Sequence, residues 1–191
     1  FLIFNSSVSA FQSFKIDTVS VAPTNGVALE KLPLVEDRPI KNIIFIIGDG
    51  TGLAQLFSGQ ISIAGFDGRL HVQRMPVTGL VNTHAADQYI TDSAAGATAY
   101  SCGVKTNNGM IGQLPDNRHC KTVLELAEEH GKSTGLISTS SITHATPASF
   151  AAHIDSRKKE TEIATQYLHS NIEILLGGGL EFFVPQSKDN S

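Results

Sequence analysis

Five consecutive apolar residues, Ile43-Ile44-Phe45-Ile46-Ile47, run directly into Gly48-Asp49-Gly50-Thr51-Gly52. A short, unbroken β-branched and aromatic run bounded by glycines is the pattern of a strand buried on both faces, as in a parallel sheet. A parallel sheet needs helical crossovers, so this run predicts a chain in which strands alternate with helices. The rest of the chain supplies that alternation. Leu53 to Ala64 reads as a helix and Val77 to Thr83 as a strand. Asp92 to Cys102 is an Ala-rich helix capped by Asp92 or Thr91. Thr122 to His130 carries Val123, Leu124, Leu126 and Ala127 at helical spacing, with Gly131 as its stop. Gly135 to Ile137 reads as a strand, Pro147 to Ala152 as a helix with proline in its first turn, and Glu160 to His169 as another helix. Ile172 to Leu176 reads as a strand ended by Gly177-Gly178-Gly179. The pattern is α/β, a three-layer α/β/α sandwich around a mostly parallel sheet.

Three segments carry candidate chemistry, each after an expected strand or at a helix start, where open α/β sheets place their ligands. In Gly48–Gly52 the carboxylate of Asp49 suits Mg²⁺ or Zn²⁺, while a tight turn with Asp49 as a helix cap fits equally well. A dinucleotide loop is excluded, because its third glycine falls on Leu53. In Thr91-Asp92-Ser93-Ala94-Ala95-Gly96, Ser93 sits at a helix N-terminus, where N–H groups and the dipole favour an anion. By itself the string reads more readily as a plain helix cap. In Thr143-His144-Ala145-Thr146-Pro147-Ala148, His144 and Thr146 offer an imidazole and a hydroxyl, and Arg157 offers a planar fork for phosphate oxygens. Gly131-Lys132-Ser133 is no phosphate loop, since Leu126 stands where that motif needs glycine.

In combination, Ile46–Gly50, Thr91–Ala99, Gly103-Val104-Lys105-Thr106-Asn107-Asn108-Gly109 and Ile142–Ala148 resemble the alkaline phosphatase family in string, order and spacing, from about residue 40 to about 185. The resemblance implies a phosphate monoester hydrolase acting through a phosphoserine on Ser93, with two Zn²⁺ and one Mg²⁺ per complete site. It implies that Asp49 bridges a zinc and the magnesium, and that Ser93 is a zinc ligand as well as the nucleophile. Arg157 would clamp the phosphate and Asp92 orient that arginine. Thr146 matches a magnesium ligand, His144 occupies the third metal position, and His153 lies near the site. Further ligands of the family are not found in this sequence, so the chain is expected to be a portion of a longer enzyme and inactive alone. A phosphodiesterase or sulfatase of the same superfamily, or a binding module with half a site, are the rival readings. Family members are often homodimers.

The remaining expectations concern location. Phe1-Leu2-Ile3-Phe4 followed by Val8-Ser9-Ala10 reads as a signal-peptide remnant over residues 1–10, ahead of an N-terminal segment (11–40) and the catalytic portion (41–191). A secreted or periplasmic protein follows. The net charge of −4 gives no reason to expect a nucleic-acid partner, and no run is long enough to span a bilayer. Cys102 and Cys120 are read as small buried residues; export would permit a bond between them, and the sequence leaves their pairing open.

Overall fold

The computed structural model describes residues 39–185, so the expected signal remnant and nearly all of the 11–40 segment lie outside the described residues. The chain divides into two units, Phe1–Val81 and Asn82–Ser191.

In the first unit the helix α1 spans Leu53–Ala64, as its apolar pattern predicts, and a 3₁₀ turn covers His71–Arg74. Gln60 is the buried residue of α1, bonded through Nε2 to Phe66 O at 3.2 Å and through Oε1 to Gln73 Nε2 at 2.7 Å. Two expectations fail here. Ile43–Ile47 and Val77–Thr83 form no strand. A strand exists only through ladder bonds to a neighbour, and among the described residues the only sheet is the pair formed elsewhere in the chain. Ile44 and Ile46 are accordingly exposed.

The second unit holds the α/β arrangement. The helix α2 spans Ser93–Cys102 and α3 spans Val123–Glu129. Strand β1 (Gly135–Ser141) leads through α4 (Ala145–Ala148) and α5 (Glu160–Leu168) to β2 (Ile174–Gly178). The strands pair in parallel, with Gly135 opposite Ile174 and Ile137 opposite Leu176. β1 is longer than expected, and β2 lies two residues later, so that Gly177 and Gly178 belong to it. The reason is room: a Cβ on Gly177 would stand 3.1 Å from Ile142 Cβ and 3.2 Å from Ser140 O. Gly179, at φ +92°, ends the strand. α4 is shorter and earlier than the predicted Pro147–Ala152 helix. Pro147 needs no N–H in a first turn, whereas Phe150 N and Ala151 N reach back only three residues, to Pro147 O and Ala148 O, which tightens the chain into turns.

The core is built on small residues. Ala94, Ala95, Ala97 and Thr98 of α2 are buried, as are Ala145, Ala148 and Ser149 at α4, and the two helices pack together. Short side chains allow backbones to approach closely, and the hydroxyls caught between them are satisfied. Thr98 Oγ1 donates to Ser149 Oγ at 3.3 Å and accepts from Gly112 N at 3.0 Å, and Ser101 Oγ donates to Ser149 O at 2.5 Å.

Two further devices tie loops to this core. Cys102 and Cys120 form a disulfide with a Cα separation of 5.8 Å, which corrects their reading as merely buried residues. The pairing was hidden because proximity across 18 residues depends on the intervening loop, which an antiparallel bridge between Ile111 and Ile154 draws against the core. The second device is a clip around α3. Thr122 and Glu125 form a capping box, with Glu125 Oε2 accepting from Thr122 N at 2.8 Å and Thr122 Oγ1 from Glu125 N at 3.1 Å. Glu125 Oε1 also meets His153 Nε2 at 2.8 Å, while His153 Nδ1 meets Gly112 O at 2.5 Å and its ring stacks on His119. Burial opposes ionisation of Glu125, but the Thr122 amide and His153 outweigh it and hold the carboxyl below its usual range.

Three stability outcomes follow from these contacts. Closing a loop of 18 residues removes unfolded-state entropy worth about 3 kcal/mol, so the double replacement of Cys102 and Cys120 by serine lowers unfolding free energy by about that amount in urea titration. Burial drives the Tyr167 phenol well above its ordinary pKa, and its hydroxyl donates to Ile142 O at 3.0 Å. Tyr167→Phe strands that carbonyl and costs about 1–3 kcal/mol. Because the folded pKa of Glu125 is depressed, its stabilisation is present above the unfolded carboxylate pKa and disappears as pH falls through the folded value. Glu125→Gln is therefore destabilising near about pH 7, and the gap from wild type narrows near about pH 3, read by denaturant midpoints at both.

Candidate active site

α2 begins where it does because Asp92, in extended conformation, caps it: Oδ1 accepts from Ala95 N at 2.9 Å. That bond uses one carboxylate oxygen. The other, Oδ2, accepts from Gly109 N at 3.0 Å and from Arg157 Nη1 at 3.1 Å. The helix cap and the contact with Arg157 are thus made at once by two oxygens of one side chain. Ser93 follows as the first residue of α2, at the end where the helix dipole attracts anions.

Arg157 reaches this point from the connection between α4 and α5. Its backbone N donates to Gly109 O at 2.8 Å, which aligns it with the same loop that binds Asp92. Its Nη2 lies 3.0 Å from His144 Nε2, so the imidazole nitrogen takes a guanidinium N–H. Asp92 and His144 engage one nitrogen each of a fork that has five N–H donors, and the guanidinium is fixed with the rest of its donors left for an anion. The Arg157 and Asp92 side chains are each 26% exposed, so the pair is partly shielded and still reachable.

His144 and Thr146 are presented by the turn from β1 into α4. That turn is held from beneath: Ser141 Oγ and Thr143 Oγ1 both donate to Glu160 Oε2, at 2.8 and 2.6 Å, and Ile142 O takes the Tyr167 hydroxyl. Ser93, Asp92, Arg157 and His144 therefore share one framework with Thr146, which lies two residues past His144 within α4. The ring of His153 is engaged by Glu125 and Gly112.

Asp49 belongs to the first unit. Gly48-Asp49-Gly50 forms a turn closed by Thr51 N donating to Gly48 O at 3.0 Å, with Gly50 at φ +66°. The N-cap of α1 is Gly52, not Asp49, so the cap reading of that carboxylate is excluded. Among the described residues no group of three or more His, Cys, Asp and Glu is placed to hold a metal ion, and His144 Nε2 takes an Arg157 N–H.

Two residues escaped the sequence reading as parts of the site. Asn108 and Gly109 enter the sequence reading only within the Gly103–Gly109 string. Asn108 Oδ1 accepts from Asp92 N at 2.8 Å, and Gly109 bonds both Asp92 and Arg157. Their signal was present in the Lys105–Gly109 string, but nothing in a turn motif says which distant backbone it grips.

The family model for alkaline phosphatase matches residues 40–191. The repressible alkaline phosphatase of Saccharomyces cerevisiae is 42% identical over 166 residues, covering 79% of this chain and 28% of that protein. The streptomycin-6-phosphate phosphatase of Streptomyces griseus is 34% identical over 175 residues, covering 79% of this chain and 39% of that protein. Among solved structures, the alkaline phosphatase of the Antarctic bacterium TAB5 superposes with a TM-score of 0.67 at 40% identity, over 74% of this chain and 41% of that one. A mutant of the TAB5 enzyme has been solved with Mg bound in its M3 site. The chain thus spans well under half the length of each of these relatives. It shares with them an α/β fold built on a parallel sheet, here present in part, and it belongs to the alkaline phosphatase family.

Proposed function

We propose that the full-length protein carrying this chain is a metal-dependent phosphate monoester hydrolase that works through a phosphoserine at Ser93. The observation that carries the proposal is the Asp92–Arg157 pair at the N-terminus of the helix that Ser93 begins. A dianionic phosphoryl group needs a cationic fork and N–H donors beside the attacking hydroxyl, and that is what α2, Asp92 and Arg157 bring together.

In this reading the substrate's non-bridging oxygens lie against Arg157. The guanidinium cannot swing away, because Asp92 holds Nη1 and His144 engages Nη2. Ser93 Oγ loses its proton to solvent and attacks phosphorus in line, the ester oxygen departs with the bonding pair and takes a proton from water, and a second water later cleaves the serine phosphate to return the hydroxyl and release inorganic phosphate. Positioning and charge stabilisation supply most of the rate. Two zinc ions and one magnesium would supply Lewis-acid activation. The support for them is the motif resemblance and the Mg bound in the M3 site of the TAB5 mutant, with Asp49, Ser93 and Thr146 as donors from this chain and His144 as a donor through Nδ1, since its Nε2 takes the Arg157 N–H.

Phosphate monoesters are favoured over diesters and sulfate esters by the Asp92-Ser93-Ala94 string with Arg157, and by the phosphatase names of the relatives. Export to the periplasm or the exterior is part of the proposal, supported by the Cys102–Cys120 disulfide, a bond typical of oxidising compartments. No helix among the described residues is long and apolar enough to cross a membrane. A homodimer is proposed on the resemblance alone.

The full-length protein with Zn²⁺ and Mg²⁺ is expected to hydrolyse p-nitrophenyl phosphate and to trap ³²P on Ser93, with Ser93→Ala abolishing both. Faster turnover of a diester or a sulfate ester would overturn the assignment. Arg157→Ala is expected to cost about 10²-fold or more in kcat/KM, the scale of losing one preorganised charge donor. The 191-residue chain alone is expected to be inactive, and robust Ser93-dependent turnover by it would show that its own residues suffice.

A further inference from the structure

We propose that Asn108 is a positioning residue for the nucleophile: its side chain, with the Gly109 peptide beside it, clamps the backbone that enters α2 and so sets where Ser93 stands. The inference rests on the reading of Ser93 as nucleophile. Its geometric basis is independent of that reading.

The segment 82–92 is laid along the segment 105–109 by a series of bonds. Lys105 Nζ donates to Asn82 O, Ala86 N to Thr106 O at 2.8 Å, and Asn108 N to Asp87 Oδ1 at 3.0 Å. Asn108 then closes the series with both ends of its amide. Oδ1 accepts from Asp92 N at 2.8 Å, and Nδ2 donates to Ile90 O at 2.9 Å. Only the orientation with oxygen toward the N–H and nitrogen toward the carbonyl satisfies both. No other side chain that short offers a donor and an acceptor side by side in one plane, and glutamine would overshoot by a methylene.

Gly109 completes the clamp. Its N–H meets Asp92 Oδ2 and its carbonyl takes Arg157 N, at 3.0 and 2.8 Å. The dipeptide thus grips residue 92 by main chain and side chain, and residue 157 by main chain. The φ of +86° at Gly109 lets adjacent peptide groups address these partners, a conformation that strains any residue with a Cβ. Ser93 is the next residue after the clamped peptide, so freedom at Asp92 N becomes displacement of Ser93 Oγ relative to Arg157.

A purely structural role predicts something different. The stability of α2 rests on the Asp92 Oδ1 cap and on burial of Ala94, Ala95, Ala97 and Thr98, whereas the Asn108 side chain bonds only the backbone ahead of Ser93, at Ile90 and Asp92. Removing its side chain should leave the helix folded and shift its first residue.

The test uses the full-length enzyme as wild type, Asn108→Ala and Asn108→Asp. It reads kcat and KM for p-nitrophenyl phosphate, ³²P-phosphoserine formation, thermal midpoint, and amide hydrogen exchange over residues 90–95. For Asn108→Ala the expected result is a kcat lower by about 10-fold to 10²-fold, the scale of a misplaced reacting group, with faster exchange at the start of α2 and a nearly unchanged midpoint. Asn108→Asp keeps the acceptor toward Asp92 N, so exchange there stays slow and kcat falls less, while its added negative charge raises KM. A kcat for Asn108→Ala within twofold of wild type overturns the proposal. So does a loss of kcat in both variants that only follows a loss of folded protein. A wild type that forms no phosphoserine would instead remove the Ser93 reading, leaving the exchange result to judge the clamp.

Discussion

The second unit is organised around the way one carboxylate divides its two oxygens. Asp92 Oδ1 ends a helix, and Oδ2 joins that helix to a loop amide and to an arginine from a crossover connection. A helix start carries orphan N–H groups, so an N-cap is needed there whether or not the site is functional. Here the residue that meets the local need also carries the long-range one. Asp92 is separated from Gly109 by 17 residues and from Arg157 by 65, and its Oδ2 joins all three segments. Loss of the carboxylate would undo the cap and the pairing together.

What keeps the three segments in place is packing with little slack. α2 and α4 meet through alanines, threonine and serine, and each buried hydroxyl between them has a partner. Small, satisfied interfaces allow few alternative packings, since a sliding helix would strand Thr98 or Ser149 without a bond. The disulfide anchors one end of the 103–120 loop, and the Ile111–Ile154 bridge anchors its middle. Between those points the loop delivers Asn108 and Gly109 to Asp92. Rigid elements carrying a precise polar constellation are the arrangement that catalysis by positioning requires.

Much of the helical layer was legible. α1 coincides with its predicted range, α3 has its Thr122 cap and Gly131 stop, and α5 begins at Glu160. Helices are encoded locally, in periodicity and caps, so a single sequence carries most of what defines them. Strands are not. Ile43–Ile47 has a stronger strand composition than Gly135–Ser141, yet the second is a strand and the first is not. Ladder bonds decide the matter, and they depend on which segment arrives alongside. Gly177 and Gly178 illustrate the same point: read as the end of the strand, they lie in β2, and at Gly177 Ser140 and Ile142 leave little room for a side chain.

The sequence by itself determined the chemistry available: a serine at a helix start, an aspartate before it, an arginine fork, an imidazole and a hydroxyl in one turn, and strings whose order identifies the family. These are matters of residue type and short spacing, which survive without coordinates. Only the tertiary structure decided how they combine. It paired Cys102 with Cys120, turned His144 Nε2 toward Arg157, and set Asn108 and Gly109 against the residue before Ser93. Each of those outcomes joins groups at least 13 residues apart, and the closure of such loops is governed by the packing of everything between them rather than by local preference.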